Sequence, residues 1–283
     1  MRKSIRRSRF VSLVELEQEK LAAILEACHS YYRRTESSRE DDRISPNARE
    51  FIASQLRPDM RVLDIGCGNG ATLLEHCHRF ASGLGVDHDL AHVDLAEEAL
   101  RESECTNVEF RLLEFPGDAH ELEPGAFDFA FTERGPIGCD SHGIQAALRI
   151  LKDDALLFCE VIGNLHHQEV TETFGPGQTR QPHHETIRTL DQARAAMEQN
   201  GVSIRIAADI VRKRYYPSIY DWLQFQCRIW TWSGKPLPSP DDVRFRLFAE
   251  RNTLQSGEIE TTHHVVWVGG VKRSGGSHYD ERG

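Results

Sequence analysis

The 283 residues include 39% hydrophobic and 28% charged side chains, which is enough apolar material for a core and ordinary for a soluble protein. No apolar run approaches the roughly 18 residues that span a bilayer, and no cleavable apolar segment follows the basic N-terminus, so membrane and secreted proteins are disfavoured. The net charge of −10 argues against general nucleic-acid binding, because an acidic chain repels polyphosphate.

Residues 1–45 are predicted to form an accessory segment. Apolar side chains in the stretch 13–28 recur at near-helical spacing, which predicts one amphipathic helix. A basic arm at residues 2–9 precedes it and either extends into solvent or contacts RNA. The polar run 36–43 is typical of a linker.

The main domain is predicted to span residues 46–273. Ser45-Pro46 has the pattern of an N-cap with proline at the first helical position, so a helix is predicted to run to about Leu56. Short apolar runs then alternate with helical patterns, which predicts an α/β fold with a mostly parallel, seven-stranded sheet and helices on both faces. The predicted strands are 61–65, 83–86, 108–113, 127–131, 155–161, 202–211 and 259–268, and the predicted helices are 71–80, 91–103, 142–150 and 185–200.

Residues 212–257 break this alternation and are predicted to form an insertion between the last two strands. The insertion holds Trp222, Trp230 and Trp232, and three prolines follow them. It either forms an apolar lid over a substrate or a satellite core that seals the sheet edge. The tail at 274–283 is rich in glycine and serine, so we expect it to be disordered.

Seven cysteines are scattered along the chain and none forms a C-x-x-C pair. An odd number without such pairs favours reduced thiols in a cytoplasm over a disulfide framework. We therefore expect a cytoplasmic protein with free thiols. The cysteines are Cys28, Cys67, Cys77, Cys105, Cys139, Cys159 and Cys227.

The strongest motif is VLDIGCGNG at residues 62–70. A predicted strand ends in glycines, which permit a tight turn and a close approach of the backbone to a ligand, and a helix follows. In such sheets, ligands bind beyond the carboxyl ends of the strands. Gly66, Gly68 and Ala71 also satisfy the G-x-G-x-x-A pattern of dinucleotide-binding proteins, so the glycines alone leave two kinds of cofactor open.

Two carboxylates bear on that choice. Asp64 directly precedes the glycines, where it would repel a pyrophosphate but suits a ligand that carries an ammonium and a sulfonium. Asp87 ends the next predicted strand, 21 positions after Gly66, where an acceptor for ribose hydroxyls belongs. The position of Asp87 is common to both cofactors, so Asp64 carries the distinction.

The segment 62–70 resembles motif I of class I S-adenosylmethionine-dependent methyltransferases, and Asp87 falls at their ribose-binding acidic position. The segments 127–131 and 151–158 resemble the fourth and fifth strand motifs of the family. The resemblance covers about residues 45–211 and the last predicted strand. It implies a Rossmann-like fold, S-adenosyl-L-methionine as the cofactor and methyl transfer as the reaction.

The resemblance also implies a cofactor-binding set. Gly117-Asp118-Ala119 resembles the tripeptide whose acid meets the adenine amino group, although the stretch before it is slightly long. Glu114 with Phe115 is therefore a rival for that role. Cys67 is expected to pack beside the cofactor without thiol chemistry. The complete set is Asp64, Gly66, Cys67, Gly68, Gly70, Asp87, His88, Glu114, Phe115, Asp118, Ala119 and Thr132.

Three residues are candidates for contact with the methyl acceptor. Glu133 and Arg134 follow the predicted fourth strand, where they either contact the acceptor or form an ion pair that shapes the loop. His166 follows the fifth strand and is either a base near neutral pH or a surface histidine. The segment 132–136 lacks the Asn/Asp-Pro-Pro-aromatic pattern that often accompanies methylation of exocyclic amino groups of bases, so that acceptor class loses support.

The remaining motifs carry less information. The pairs His183-His184 and His263-His264 are poor metal ligands, because adjacent strand residues point to opposite faces. Residues 172–178 are predicted to form a glycine-rich loop. Together with 134–136, that loop resembles a poorly characterised bacterial subgroup of these methyltransferases.

The sequence therefore predicts a methyltransferase acting on a small molecule, with no membrane partner and no metal. Two alternatives stay open: an rRNA or tRNA methyltransferase that uses the basic arm, and a non-catalytic protein that binds S-adenosylmethionine. An NAD-dependent dehydrogenase is the weakest interpretation because of Asp64.

Overall fold

The computed structural model describes residues 17–27, 39–40, 47–137, 140–175, 189–232 and 234–272. Several predicted features lie outside these residues. They are the basic arm 2–9, most of the linker 36–43, Cys28, Ser45-Pro46, Cys139, residues 176–178, His183-His184 and the tail 274–283.

Eight strands form one sheet. The strands are β1 (Arg39–Glu40), β2 (Arg61–Ile65), β3 (Ser82–Asp87), β4 (Val108–Leu112), β5 (Phe127–Glu133), β6 (Leu151–Ile162), β7 (Val202–Tyr216) and β8 (Ile259–Lys272). Their order across the sheet is β1-β7-β8-β6-β5-β2-β3-β4. Seven of them were predicted, and the two-residue β1 falls in the predicted linker. The block from β6 to β4 is parallel, but β8 pairs with β6 and β1 pairs with β7 in antiparallel fashion. The sheet is thus mixed, with one more strand than expected.

Several helices begin at a short polar side chain that caps them. Asp89 and Asp140 accept hydrogen bonds from first-turn amides of the helices Leu90–Glu102 and Ser141–Ile150, and Thr189 forms a capping box with Gln192 at the start of the helix Leu190–Gln199. No helix in the described ranges is long and apolar enough to cross a membrane. The helices are α1 (Gln18–Ala27), α2 (Ala48–Gln55), α3 (Ala71–Glu75), α4 (Leu90–Glu102), α5 (Ser141–Ile150), α6 (Gln168–Phe174), α7 (Leu190–Gln199), α8 (Ile219–Trp232) and α9 (Val243–Asn252).

The chain divides into two compact units. The sheet unit comprises residues 42–166, 182–211 and 264–283. Its sheet has two apolar faces, because most residues of the central strands β2 and β5 are buried on both sides. Helices α5 and α7 pack on one face, and α2, α3 and α4 pack on the other. The predicted helices on both faces are therefore confirmed.

The helical unit comprises residues 1–41, 167–181 and 212–263. Its core joins α1, α6, α8 and α9 around large aromatic side chains, with Trp222 stacked on Phe248 at 3.9 Å between ring centroids. The predicted insertion thus contains two helices and shares a unit with the predicted accessory helix. Residues 172–174, expected in a glycine-rich loop, instead form the last turn of α6.

Two of the cysteines contradict the expectation of free thiols. Cys77 and Cys105 form a disulfide across a sequence separation of 28 residues, while Cys67, Cys159 and Cys227 are buried and not disulfide-bonded. The composition argument failed here because the pairing depends on the approach of the end of α3 to the loop before β4. That approach leaves no signal in the spacing of the cysteines.

Candidate functional site

The glycine loop after β2 makes a tight turn at the carboxyl edge of the sheet. Gly66, Gly68 and Gly70 have φ values of +79°, +55° and +72°, which side-chain-bearing residues rarely adopt. At Gly70 an added Cβ would also overlap the ring of Phe110. The Gly66 amide donates to the Val86 carbonyl at 2.8 Å, which ties the turn to β3. The loop therefore requires glycine for its conformation and, at Gly70, for space.

Four carboxylates share one face of this edge. Paired residues of neighbouring strands face the same way, and side chains alternate along each strand. The register therefore places Asp64 of β2, Asp87 of β3, Glu133 of β5 and Glu160 of β6 on the face that α3 and α4 cover. We call these four residues the carboxylate row. Glu160 was not predicted, although a single acid inside the apolar run of β6 could have signalled it.

Asp64 is the most buried member of the row, with 3% of its surface exposed. No hydrogen bond or ion pair reaches its carboxylate within the described part of the chain. Burial raises the pKa of Asp64 well above its ordinary value, Glu133 and Asp87 raise it further, and Arg49 lowers it. A buried acid with this surrounding favours a cationic ligand group.

Asp87, in contrast, is held by donors from the glycine loop and from the residues that follow β3. Its carboxylate accepts from the Gly68 amide at 2.9 Å and the Asp89 amide at 3.0 Å, and it lies 3.2 Å from Nδ1 of His92. Burial raises the pKa of this carboxyl, but the bonds from His92, Asp89 and Gly68 outweigh it and leave the pKa lowered. His88 is half-exposed, with Nδ1 3.4 Å from Asp87. Asp87 is therefore an ionised, oriented acceptor.

Glu133 and Thr132 follow one another at the end of β5. The Thr72 hydroxyl of α3 donates to Glu133 Oε1 at 2.5 Å, which links the acid to the helix after the glycine loop. Thr132 is fully buried, and its hydroxyl has no hydrogen-bond partner among the described residues. Glu133 is thus a member of the row, whereas Thr132, one residue earlier on the strand, points to the opposite face of the sheet.

Arg134 turns the chain away from β5 with φ +59°, a strained value for a residue with a side chain. Its amide donates to the Glu160 carbonyl at 2.8 Å, and its Nε lies 3.6 Å from Glu160 Oε1. Glu160 also accepts from the Trp267 indole at 2.9 Å. Of the two alternatives for Glu133 and Arg134, an ion pair between them is not found in the described chain, because the partner of Arg134 is Glu160 on the next strand.

The two rivals for the adenine contact lie in one turn after β4. Asp118 Oδ2 accepts from the Glu114 amide at 3.2 Å, and the Asp118 amide donates to the Glu114 carbonyl at 2.7 Å. Phe115 and Ala119 are buried beside them in the core. Because Glu114 and Asp118 are hydrogen-bonded to one another, both acids remain candidates for the same role.

Residues 62–154 match the family described as "Methyltransferase domain". They include the glycine loop, three members of the carboxylate row and the turn after β4. This segment is a methyltransferase domain, so the predicted family is confirmed for this part of the chain.

Further likenesses are more distant. Over 72 residues the chain is 38% identical to indolepyruvate C-methyltransferase of Streptomyces griseus, a stretch that covers 25% of this chain and only 21% of that protein. The YcgJ protein of Bacillus subtilis superposes with a TM-score of 0.57 at 18% identity, covering 80% of this chain and 98% of that one. The [4+2]-cyclase SpnF superposes with a TM-score of 0.51 at 18% identity, covering 80% of each chain. The structures show the methyltransferase fold and do not define an acceptor.

The structure also defines the surroundings of two other predicted residues, Cys67 and His166. Burial raises the pKa of the Cys67 thiol, and Asp64 and Asp87 raise it further, so the thiol stays protonated, as a packing role requires. His166 Nδ1 accepts from the His264 amide at 3.3 Å, so a base at His166 would have to act through Nε2. His264 itself accepts from the Leu165 amide at 2.9 Å.

A cavity of about 570 Å³ opens at the opposite, amino edge of the sheet, between the first residues of β2, β3 and β4. Arg61, Ser82 and Asn107 are among its lining residues, and none of the predicted site residues lines it. Parallel sheets bind ligands at their carboxyl edge, so the carboxylate row and not this cavity is the candidate site.

Proposed function

We propose that the chain is a methyltransferase that transfers a methyl group from S-adenosylmethionine to a small molecule by in-line displacement. The unpartnered, buried carboxylate of Asp64 within the carboxylate row carries this proposal. An ammonium or sulfonium group beside Asp64 would supply a positive charge to the member of the row that has no hydrogen-bond or ion-pair partner in the described chain. A pyrophosphate in the same place would meet several carboxylates, which argues against NAD.

The remaining predicted cofactor residues support this arrangement. Asp87 is oriented as an acceptor for ribose hydroxyls, and the free space beside Gly68 leaves its backbone open to close approach. Glu114 or Asp118 would accept from the adenine amino group. His88 is half-exposed beside Asp87. These residues fit S-adenosylmethionine, whose sulfonium supplies a methyl group that is already activated.

The residues proposed to act on the acceptor are Glu133, Arg134 and His166. Orientation of the acceptor can supply about 7–11 kcal/mol of the barrier, so positioning is their main task. A general base adds about 10²–10⁴-fold, and only where the acceptor arrives protonated. Glu133 lies on the strand next to that of Asp64, and Arg134 follows it directly in the chain.

A small acceptor is supported by the net charge of −10, which disfavours a polyphosphate. The name of the Streptomyces relative also specifies a small 2-oxo acid as the molecule that protein methylates. The acceptor of this chain is a proposal that rests on those two points.

Calorimetric titration of the wild-type chain with S-adenosylmethionine, S-adenosylhomocysteine and NAD tests the cofactor. Micromolar binding of both adenosyl ligands without binding of NAD is expected, and binding of NAD alone would refute the proposal. Release of S-adenosylhomocysteine in the presence of a panel of small acids and amines then tests transfer. Binding without turnover on any acceptor would favour a non-catalytic binding protein, and salt-sensitive RNA binding would favour an RNA methyltransferase.

A further inference from the structure

Within the helical unit, β7 and β8 are neighbours and have two chemically different faces. Lys213 Nζ of β7 lies 3.1 Å from Glu260 Oε1 and 3.1 Å from Thr262 Oγ1, both on β8. It also lies 3.4 Å from Glu169 Oε1 of α6. One face therefore holds a lysine that is paired with two carboxylates.

Because side chains alternate along a strand, the neighbours of these residues lie on the other face. Those neighbours are Arg212 and Arg214 on β7, and Thr261 and His263 on β8. All four are buried, with the two arginines 8% and 9% exposed. We call this the arginine face.

Helix α8 brings aromatic and amide groups to the same place. The Phe225 ring centroid lies 5.4 Å from Cζ of Arg214, 5.5 Å from the Tyr216 ring and 5.8 Å from the His167 ring. Gln226, the next residue, is 0% exposed. The arginine face is thus covered by apolar rings with one buried amide beside them.

Three polar side chains here have hydrogen-bonding atoms without partners in the described chain. Neither amide atom of Gln226 is bonded, and the same holds for the Thr261 hydroxyl and the Trp222 indole nitrogen. Trp222 and Gln226 are one turn apart on α8 and share a helix face. Leaving such a group unsatisfied costs about 1–3 kcal/mol, and native proteins satisfy most of them. Several together in one small unit indicate groups that await a ligand.

We propose that the arginine face binds the anionic group, carboxylate or phosphate, of a small organic acid. A guanidinium presents a planar fork of donors that matches either group. The Gln226 amide and the Thr261 hydroxyl supply further donors, and the rings of Phe225 and Tyr216 suit an apolar or aromatic body. The site is argued from the helical unit alone. Only the further step, that this acid is the methyl acceptor, rests on the proposed function.

Titration of the full chain with phenylpyruvate, phenyl phosphate and benzyl alcohol tests the site. At least one of the two acids should bind, and the neutral alcohol should not. Which acid binds shows whether the site prefers a carboxylate or a phosphate. Arg214→Gln should lower the affinity for the binding acid at least 30-fold. Arg205→Gln is the matched control, because it removes the same charge from an exposed position of the same strand and should leave affinity unchanged. Failure of both acids to bind, or equal binding of the alcohol, would overturn the inference.

Gln226→Leu separates a binding role from a structural one. Removal of an unsatisfied buried amide should raise the melting temperature of the free chain, yet it should weaken acid binding about tenfold. Raised stability with unchanged affinity would overturn the inference, and this variant remains informative if Arg214→Gln fails to fold. Titration of the same proteins with S-adenosylmethionine distinguishes the two proposals. Intact cofactor binding without acid binding rejects the site alone, and the reverse pattern rejects the proposed function alone.

Discussion

Replacing Asp64 by asparagine should stabilise the folded chain and weaken its binding of S-adenosylmethionine. The substitution preserves shape and removes a charge that is 3% exposed and close to Glu133 and Asp87. A buried polar group without a hydrogen-bond partner lowers stability by about 1–3 kcal/mol, and a buried charge without one lowers it more. The asparagine side chain removes the charge but keeps part of the cost of an unpaired polar group. We expect a gain of about 1 kcal/mol, which corresponds to a rise of about 2–4 °C in Tm for a chain of this size.

The effect on binding has the opposite sign. Removing one member of a buried charge pair typically costs about 2–5 kcal/mol, because the other charge is left without its counterpart. For Asp64→Asn this corresponds to a loss of affinity for S-adenosylmethionine of about 30- to 4,000-fold. Binding of the cofactor should therefore fall while stability rises.

The pH dependence follows from the raised pKa of Asp64. The folded chain retains a proton that the unfolded chain has already lost, so the contribution of this group to stability is present at low pH and is lost as pH rises through the folded pKa. A cationic ligand favours the ionised form, so affinity for S-adenosylmethionine should increase over the same range. Both dependences should be absent in Asp64→Asn.

Asp128→Asn is the matched control. Asp128 lies at the amino end of β5 and accepts from the Arg61 amide at 2.8 Å and from Lys152 at 2.7 Å. Burial raises its pKa, but these bonds outweigh it and leave the pKa lowered, so its neutralisation should destabilise the chain and leave cofactor affinity unchanged. Urea unfolding and calorimetry on both variants provide the measurements. The role assigned to Asp64 would be refuted if Asp64→Asn bound S-adenosylmethionine with wild-type affinity, or if both variants were less stable than the wild type.

Two further predictions concern stability. Gly68→Ala should lower the free energy of unfolding by about 1–2 kcal/mol because of its left-handed backbone alone, since no atom lies near its Cβ position. Gly70→Ala should lower it by about 1–3 kcal/mol more, because the added Cβ overlaps Phe110. Equal free energies of unfolding in urea for the two variants would contradict this. Reduction of the Cys77–Cys105 disulfide, which closes a loop with a sequence separation of 28, should lower the free energy of unfolding by about 3–4 kcal/mol. Unfolding curves that coincide with and without reductant would show that the bond contributes nothing.

Much of the sheet unit was predictable because its signals are local. The strand at 61–65, the glycines after it and the carboxylate at Asp87 lie within one stretch of chain, and alternation of apolar runs with helical patterns reports secondary structure directly. The helical unit was harder to predict. Its helices α8 and α9 pack on α1 and α6, which are distant in the chain, so their core depends on contacts that a local pattern does not report.

The amino-acid sequence by itself determined the alternating α/β core, the left-handed glycine turn and the presence of acids at the strand ends. Tertiary structure decided which of those acids meet, because register between strands that are distant in the chain places Glu160 beside Glu133 and gives Arg134 a partner that is not its neighbour in sequence. It also decided that β8 runs antiparallel to β6 and that Cys77 reaches Cys105. The physical reason is the same in each case. Local periodicity fixes the direction of a side chain relative to its own element, and only packing between elements fixes what it faces.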